Sequence, residues 1–78
     1  MGNFRPLDTT CWIKFLTLHH FTSKRVKGSH FQWTKPGCLR PIPVWENEKQ
    51  IPALHLKTGT KTIGCTMQDL YSWAETNC

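Results

Sequence analysis

The spacing of apolar residues predicts a first helix from about residue 9 to residue 20. One face carries side chains at the i, i+3, i+4 and i+7 positions, namely Trp12, Phe15, Leu16 and His19. Asp8, Thr9 and Thr10 stand just before this stripe, and all three residue types favour the N-terminal cap of a helix. We therefore expect an amphipathic helix near the start of the chain.

Two strands are expected next. Residues 21–26 have side chains compatible with a strand and show no helical stripe. Residues 30–34 alternate, with Phe31 and Trp33 on one face. If these aromatic rings face the core, His30 faces solvent.

A third strand is expected at residues 39–45, after a Pro-Gly turn. Pro41 and Pro43 lie two residues apart, so the N–H donors that they lack would point to the same side of the strand. Such a strand can pair through one side only. It is expected at the edge of a sheet.

Two helices complete the pattern. The first begins near Pro52 and ends at Gly64, but its apolar stripe is weak because Gly59 and Thr60 occupy two of its positions. Residues 66–69 approximate a capping box with Asp in place of Glu, which predicts the start of a short last helix. The apolar face of that helix consists of Met67, Leu70, Tyr71 and Ala74.

The order α-β-β-β-α-α predicts an α+β fold, in which one face of a three-stranded antiparallel sheet packs on helices. Seventy-eight residues allow a single small domain. The expected core consists of Trp12, Phe15, Leu16, Phe31, Trp33, Ile42, Val44, Leu56 and Leu70.

Composition adds expectations about the compartment. No apolar run approaches the roughly 20 residues of a membrane span, and residues 1–6 lack the apolar core of a signal peptide. We therefore expect a soluble cytoplasmic protein with no membrane partner. Cys11, Cys38, Cys65 and Cys78 lie far apart, and Cys11 and Cys65 fall in predicted helices. Their spacing favours reduced structural thiols over disulfides or zinc.

The net charge of +5 is unevenly placed. Residues 9–45 contain no acidic side chain, and six cations fall there: Lys14, Lys24, Arg25, Lys27, Lys35 and Arg40. A basic segment of this kind favours a polyanion partner. The candidate RNA contacts are five of these cations, together with two residues of the turn that follows Lys27: Lys24, Arg25, Lys27, Gly28, Ser29, Lys35 and Arg40.

Residues 25–30, with the sequence RVKGSH, combine cations with a flexible glycine, a hydroxyl and an imidazole. Imidazole is the only side chain whose ordinary pKa lies near neutrality, so His30 is a candidate general base. Gly28 would supply a positive φ or a close backbone approach, and Ser29 either donates to a phosphate or is an ordinary turn residue. These residues suffice for cutting RNA without a metal.

At this point the chain resembles the HicA family of bacterial toxins over about residues 9–75. The resemblance rests on the R-x-x-G-S-H motif after the first helix, on the I-P-V run at 42–44 and on the ending I-P…G-x-T-x-x-[DE]-[LF] at 51–70. Two departures stand out. Gly59 and Thr60 replace residues that are usually apolar, so this helix is expected to be loose or bent, and His20 stands where the family often has Gly.

The resemblance implies a dsRBD-like fold and a ribosome-independent RNA endonuclease (an mRNA interferase) whose motif histidine, here His30, is essential. It also implies a HicB-like antitoxin as a protein partner, besides mRNA. The expected reaction needs no cofactor, and no small-molecule ligand is expected. Neutral imidazole would take the proton of a ribose 2′-hydroxyl, and the nearby cations would stabilise the charged transition state. The acid is undetermined, either imidazolium or Lys27.

Two other interpretations remain open. A non-catalytic RNA-binding module would bind by shape and phosphate contacts and would need no histidine. A partner-binding protein would use the basic face to dock an acidic protein. No metal is expected, since His19 and His20 point about 100° apart on a helix and His55 has no partner in the sequence.

Overall fold

The computed structural model describes residues 4–38 and 40–78 and has the α+β architecture that the apolar pattern predicts. Its elements are β1 (Leu7–Asp8), α1 (Thr9–Leu18), β2 (Thr22–Lys27), β3 (His30–Thr34), β4 (Ile42–Trp45), β5 (Gln50–Ile51), α2 (Ala53–Ile63) and α3 (Met67–Asn77). The antiparallel ribbon of β1 with β5 was not predicted, because two-residue strands leave no periodic signal.

β2, β3 and β4 form a three-stranded antiparallel sheet with β3 in the centre. β4 lies at an edge, as its two prolines predicted. It begins at Ile42, later than expected, and Leu39 of the predicted strand lies outside the described residues. The register places Trp33 opposite Ile42 and Phe31 opposite Val44, so these four side chains share one face, called here the inner face.

The inner face of the sheet and the three helices enclose the core. The buried apolar residues are Leu7, Cys11, Trp12, Phe15, Leu16, Phe21, Trp33, Ile42, Val44, Ile51, Leu56, Met67, Leu70 and Ala74. The predicted core is confirmed except at Phe31, which is only half-buried. The predicted set omitted Leu7 and Ile51, which belong to the unpredicted ribbon.

Gly59 lets α2 approach the ring of Trp12. A Cβ at Gly59 would overlap Cζ2 of Trp12 and lie 2.8 Å from Cη2. Trp12 is only 1% exposed, and Thr60 beside Gly59 is also buried. α2 is continuous through this position, and the absence of a side chain at Gly59 lets it approach the core.

The helix ends follow local chemistry in most places. Gly64 adopts the left-handed conformation at the end of α2 (φ 95°), and Thr66 and Asp69 form the predicted capping box of α3. α1 ends two residues earlier than predicted, and His20 adopts a positive φ of 68° just beyond it. This left-handed backbone explains why glycine suits the position better than histidine.

The start of α1 is held by the loop before β5. The side chain of Asp8, the N-cap residue, makes no capping hydrogen bond. Instead, the hydroxyl of Thr9 donates to the carbonyl of Glu48 (2.6 Å), and its N–H donates to the carbonyl of Lys49 (2.9 Å). A long-range contact thus replaces the expected local cap.

The thiol expectation is wrong for two of the four cysteines. Cys11 and Cys78 form a disulfide, with their Cα atoms 5.9 Å apart. Packing of α3 against α1 brings these residues together across 67 positions, so their distance along the sequence was no guide.

Cys65 lies between α2 and α3 rather than in a helix, and it is free, as is Cys38. Burial, with a smaller contribution from the Asp69 carboxylate, raises the pKa of the Cys65 thiol.

Within the described residues, no helix combines the length and the apolar character needed to cross a bilayer.

Candidate nucleic-acid interface

The turn between β2 and β3 is held in place from two sides. Gly28 has the positive φ that was expected (55°). The carbonyl of Gly28 accepts a hydrogen bond from Nε of Arg25 (2.9 Å), and the carbonyl of Ser29 accepts one from the N–H of Glu46 (2.9 Å). These hydrogen bonds fix the backbone immediately before His30. They therefore help to define where the imidazole lies.

His30 is the first residue of β3 and lies opposite Lys27 of β2 and Trp45 of β4. It lies on the outer face of the sheet, but the expectation that it faces solvent needs correction, since it is half-buried. The indole of Trp45 stacks on the imidazole, with ring centroids 4.5 Å apart and planes 3° from parallel. The directly opposed position of Trp45 causes this partial burial.

Nε2 of His30 is buried and has no hydrogen-bond partner among the described residues. Leaving a buried polar atom unpaired costs roughly 1–3 kcal/mol, and such atoms are few in native proteins. In this fold the unpaired nitrogen lies between a cationic strand and an exposed aromatic ring. Because this nitrogen is closed to solvent, a bound group reaches it only after a local rearrangement.

The register divides the three cations of β2 between the two faces. Lys24 lies opposite Gln32 and Lys27 opposite His30, so both side chains share the outer face with the imidazole. Arg25 lies opposite Phe31, on the other face, and its guanidinium is bonded to the turn. All three are exposed. Lys24 and Lys27 can thus hold an anion beside His30, whereas Arg25 stabilises the turn.

Lys35 and Arg40 lie apart from this group. The ammonium of Lys35 lies 5.1 Å from the centroid of the Phe21 ring and donates to the carbonyl of His19 (3.4 Å). Arg40 precedes the opposite edge strand and lines an open cavity of about 580 Å³ together with Lys57 and Lys61 of α2. The predicted RNA contacts therefore do not form one patch.

The sequence prediction missed Lys57 and Lys61. Their i, i+4 spacing places both on one face of α2, and this spacing was a signal that could have revealed them. The prediction also left His55 without a partner. Its ring lies 5.9 Å from that of Trp45, at an interplanar angle of 37°. The row His30, Trp45, His55 joins β3, β4 and α2.

Within residues 4–38 and 40–78, no three His, Cys, Asp or Glu side chains gather in an arrangement that could hold a metal ion. His19 packs edge-on against Phe15. Burial of its ring, and to a lesser degree the nearby charges of Lys35 and His20, lower the pKa of His19.

Comparisons of the chain with protein-family models, with curated proteins and with solved structures find no match.

Proposed function

We propose that this chain is a HicA-like toxin with a dsRBD-like fold, which cleaves RNA without a metal ion and is neutralised by a HicB-like antitoxin. The observation that carries the proposal is the placement of Lys24, Lys27 and His30 on one face of the sheet at the R-x-x-G-S-H turn. A phosphodiester bound by two ammonium groups there would lie beside an imidazole whose Nε2 lacks a partner.

The proposed reaction is an attack of the ribose 2′-oxygen on the adjacent phosphorus. Neutral His30 takes the proton of the 2′-hydroxyl, the 2′-oxygen bonds to phosphorus, and the bond to the 5′-oxygen breaks. Lys24 and Lys27 stabilise the added negative charge of the transition state. The leaving 5′-oxygen takes a proton either from the His30 imidazolium that has just formed or from Lys27. In the second case His30 releases its proton to solvent and Lys27 regains one. The products are a 2′,3′-cyclic phosphate and a 5′-hydroxyl, and EDTA is expected to leave the rate unchanged.

The stacking of Trp45 on His30 favours a second candidate function, a non-catalytic RNA-binding module. The indole covers one face of the imidazole, and a general base needs a nitrogen within hydrogen-bond reach of its proton. In that case the cations bind phosphates and His30 only supports Trp45. Cleavage assays separate the two candidates, because only the nuclease generates the cyclic phosphate.

The proposed antitoxin is expected to bind over the same basic face. An acidic protein surface would complement the exposed Lys24 and Lys27, and it would block RNA from His30. Binding of a HicB-like protein should therefore compete with RNA.

The salt dependence of RNA binding tests the proposed interface. Each phosphate contact with a single strand contributes roughly −0.7 to the slope of log K against log [salt]. Replacing Lys24 and Lys27 by Ala should reduce the slope by up to about 1.4 in magnitude, since two such contacts are lost.

A variant with the same loss of charge, Lys14→Ala with Lys49→Ala, is the matched control and should keep the slope of the unmodified protein. Equal slopes for the β2 variant and the control would contradict the proposed interface.

A further inference from the structure

The exposed ring of Trp45 borders a cavity that the proposed chemistry does not use. The side chain of Trp45 is 40% exposed. The cavity measures about 320 Å³ and lies between the end of β4, the loop to β5 and the start of α2. Its lining includes Val44, Trp45, Glu48, Gln50, Ile51 and His55.

The lining suits a flat aromatic ligand. Val44 and Ile51 are buried and give the cavity an apolar floor. Glu48, Gln50 and His55 bring carboxylate, amide and imidazole groups to the same space. Small-molecule sites of roughly 300–1,000 Å³ have this composition, apolar walls with a few polar groups that fix orientation.

The position of the cavity connects it to the candidate active residue. Trp45 lines the cavity and stacks on His30, whereas His30 is not part of the lining. The indole is therefore a wall between the imidazole and the cavity. A nucleotide whose base stacks in the cavity would have its ribose and phosphate outside it, near the face that bears Lys24, Lys27 and His30.

We infer that this cavity binds one unpaired base of an RNA strand, stacked against Trp45 and bordered by His55. The inference rests on the proposed RNA function and adds to it a preference for unpaired RNA. Single-stranded RNA is recognised by bases that stack on aromatic side chains, whereas duplex RNA is bound by shape and phosphate contacts. An apolar peptide could also fill this cavity. The positive charge of β2 beside it favours a polyanion such as RNA instead.

The test is binding of an eight-nucleotide RNA whose 2′-hydroxyls are methylated, so that the proposed cleavage cannot occur. Trp45→Ala is expected to weaken binding between about 5-fold and 150-fold, the range for loss of one stacked base. Trp45→Phe should retain most of the affinity because it keeps an aromatic face. The salt slope should not change in either variant, since no phosphate contact is lost.

Leu54→Ala is the matched control. Leu54 is 71% exposed on α2 but does not line this cavity, so its truncation should leave affinity unchanged. A second arm uses the unmodified protein with oligonucleotides that lack one base at successive positions. Removal of the base at one of these positions should weaken binding as strongly as Trp45→Ala does. Removal of the same base should not weaken binding to Trp45→Ala any further.

The outcomes separate this inference from the proposed function. Salt-dependent binding that is equal in Trp45→Ala, Leu54→Ala and the unmodified protein would overturn the base site and leave the phosphate interface standing. No binding of RNA by the unmodified protein would overturn both. Equal loss of affinity for a blunt RNA duplex and for the single strand in Trp45→Ala would also overturn the inference, since a base in a duplex cannot enter the cavity.

Discussion

Replacement of Gly59 by Ala should destabilise the protein, although alanine is the better helix former. Gly59 lies within α2, where the exchange alone would stabilise a helix by about 1 kcal/mol. The new Cβ, however, would overlap the ring of Trp12, which is 1% exposed and stacks with Phe15 at 5.9 Å between centroids. Because a buried indole cannot rotate away, the helix or the ring must shift.

The magnitude follows from these two opposing effects. Extra carbon atoms forced into a well-packed core cost roughly 1–3 kcal/mol, and more where the contact is rigid. The overlap at Gly59 falls on a ring rather than on a flexible chain, so we place it at about 3 kcal/mol. After subtracting the helix-propensity gain, the free energy of unfolding should fall by about 2 kcal/mol. For a domain of this size, that corresponds to a fall in Tm of roughly 8–16 °C.

The assay is urea unfolding followed by circular dichroism. Thr58→Ala, an exposed position one residue earlier on α2, is the matched control and should raise stability by at most about 0.7 kcal/mol, the gain in helix propensity. The decisive arm is a double-mutant cycle with Trp12→Phe, whose smaller ring leaves room for the methyl group. Gly59→Ala should then be neutral or stabilising. If Gly59→Ala stabilises the unmodified protein as much as it stabilises the Trp12→Phe variant, α2 does not approach Trp12 closely.

Three further predictions concern the disulfide and the end of α1. Cys78→Ser should lower the free energy of unfolding by up to about 4 kcal/mol, since the bond to Cys11 closes a loop across nearly the whole chain. His20→Gly should stabilise the fold by about 0.5–1 kcal/mol, because histidine is strained at φ 68°. The pKa of His19 is lowered in the folded protein, so its contribution to stability should be fully present above pH 6.5, the ordinary pKa of histidine. This contribution should be lost as the pH falls below 6.5 towards the lowered pKa.

Each of these predictions has an outcome that would contradict it. Reductant should lower the stability of the unmodified protein to that of Cys78→Ser, and an equal effect of reductant on both proteins would argue against the bond. An unchanged or lower urea midpoint in His20→Gly would remove the strain argument. For His19, the quantity measured is the difference in stability between the unmodified protein and His19→Gln from pH 5 to 8, and a flat difference would refute the pKa shift.

Local chemistry made part of the fold predictable from the sequence. The cap at Gly64, the capping box at 66–69 and the edge position of β4 each depend on residues that act within a few positions of themselves. Alternation along residues 30–34 likewise separated Trp33 from His30 correctly, since strand geometry has a period of two.

Long-range contacts account for what could not be predicted. Trp45 covers His30 only because β4 pairs with β3 in one register, and an offset of one residue would have placed the indole on the other face. The Cys11–Cys78 disulfide and the contact between Trp12 and Gly59 also join distant segments. The spacing of residues along the chain does not reveal such contacts, so reduced thiols were wrongly predicted at Cys11 and Cys78.

The most direct test of the proposed nuclease is RNA cleavage by His30→Ala. The imidazole is half-buried and its Nε2 is unpaired, so truncation should leave the fold and the phosphate contacts of Lys24 and Lys27 intact. Loss of cleavage with retained RNA binding, at an unchanged Tm, is the expected result, and the unmodified protein should yield fragments that end in 2′,3′-cyclic phosphate. Cleavage by His30→Ala at the rate of the unmodified protein would contradict the central claim.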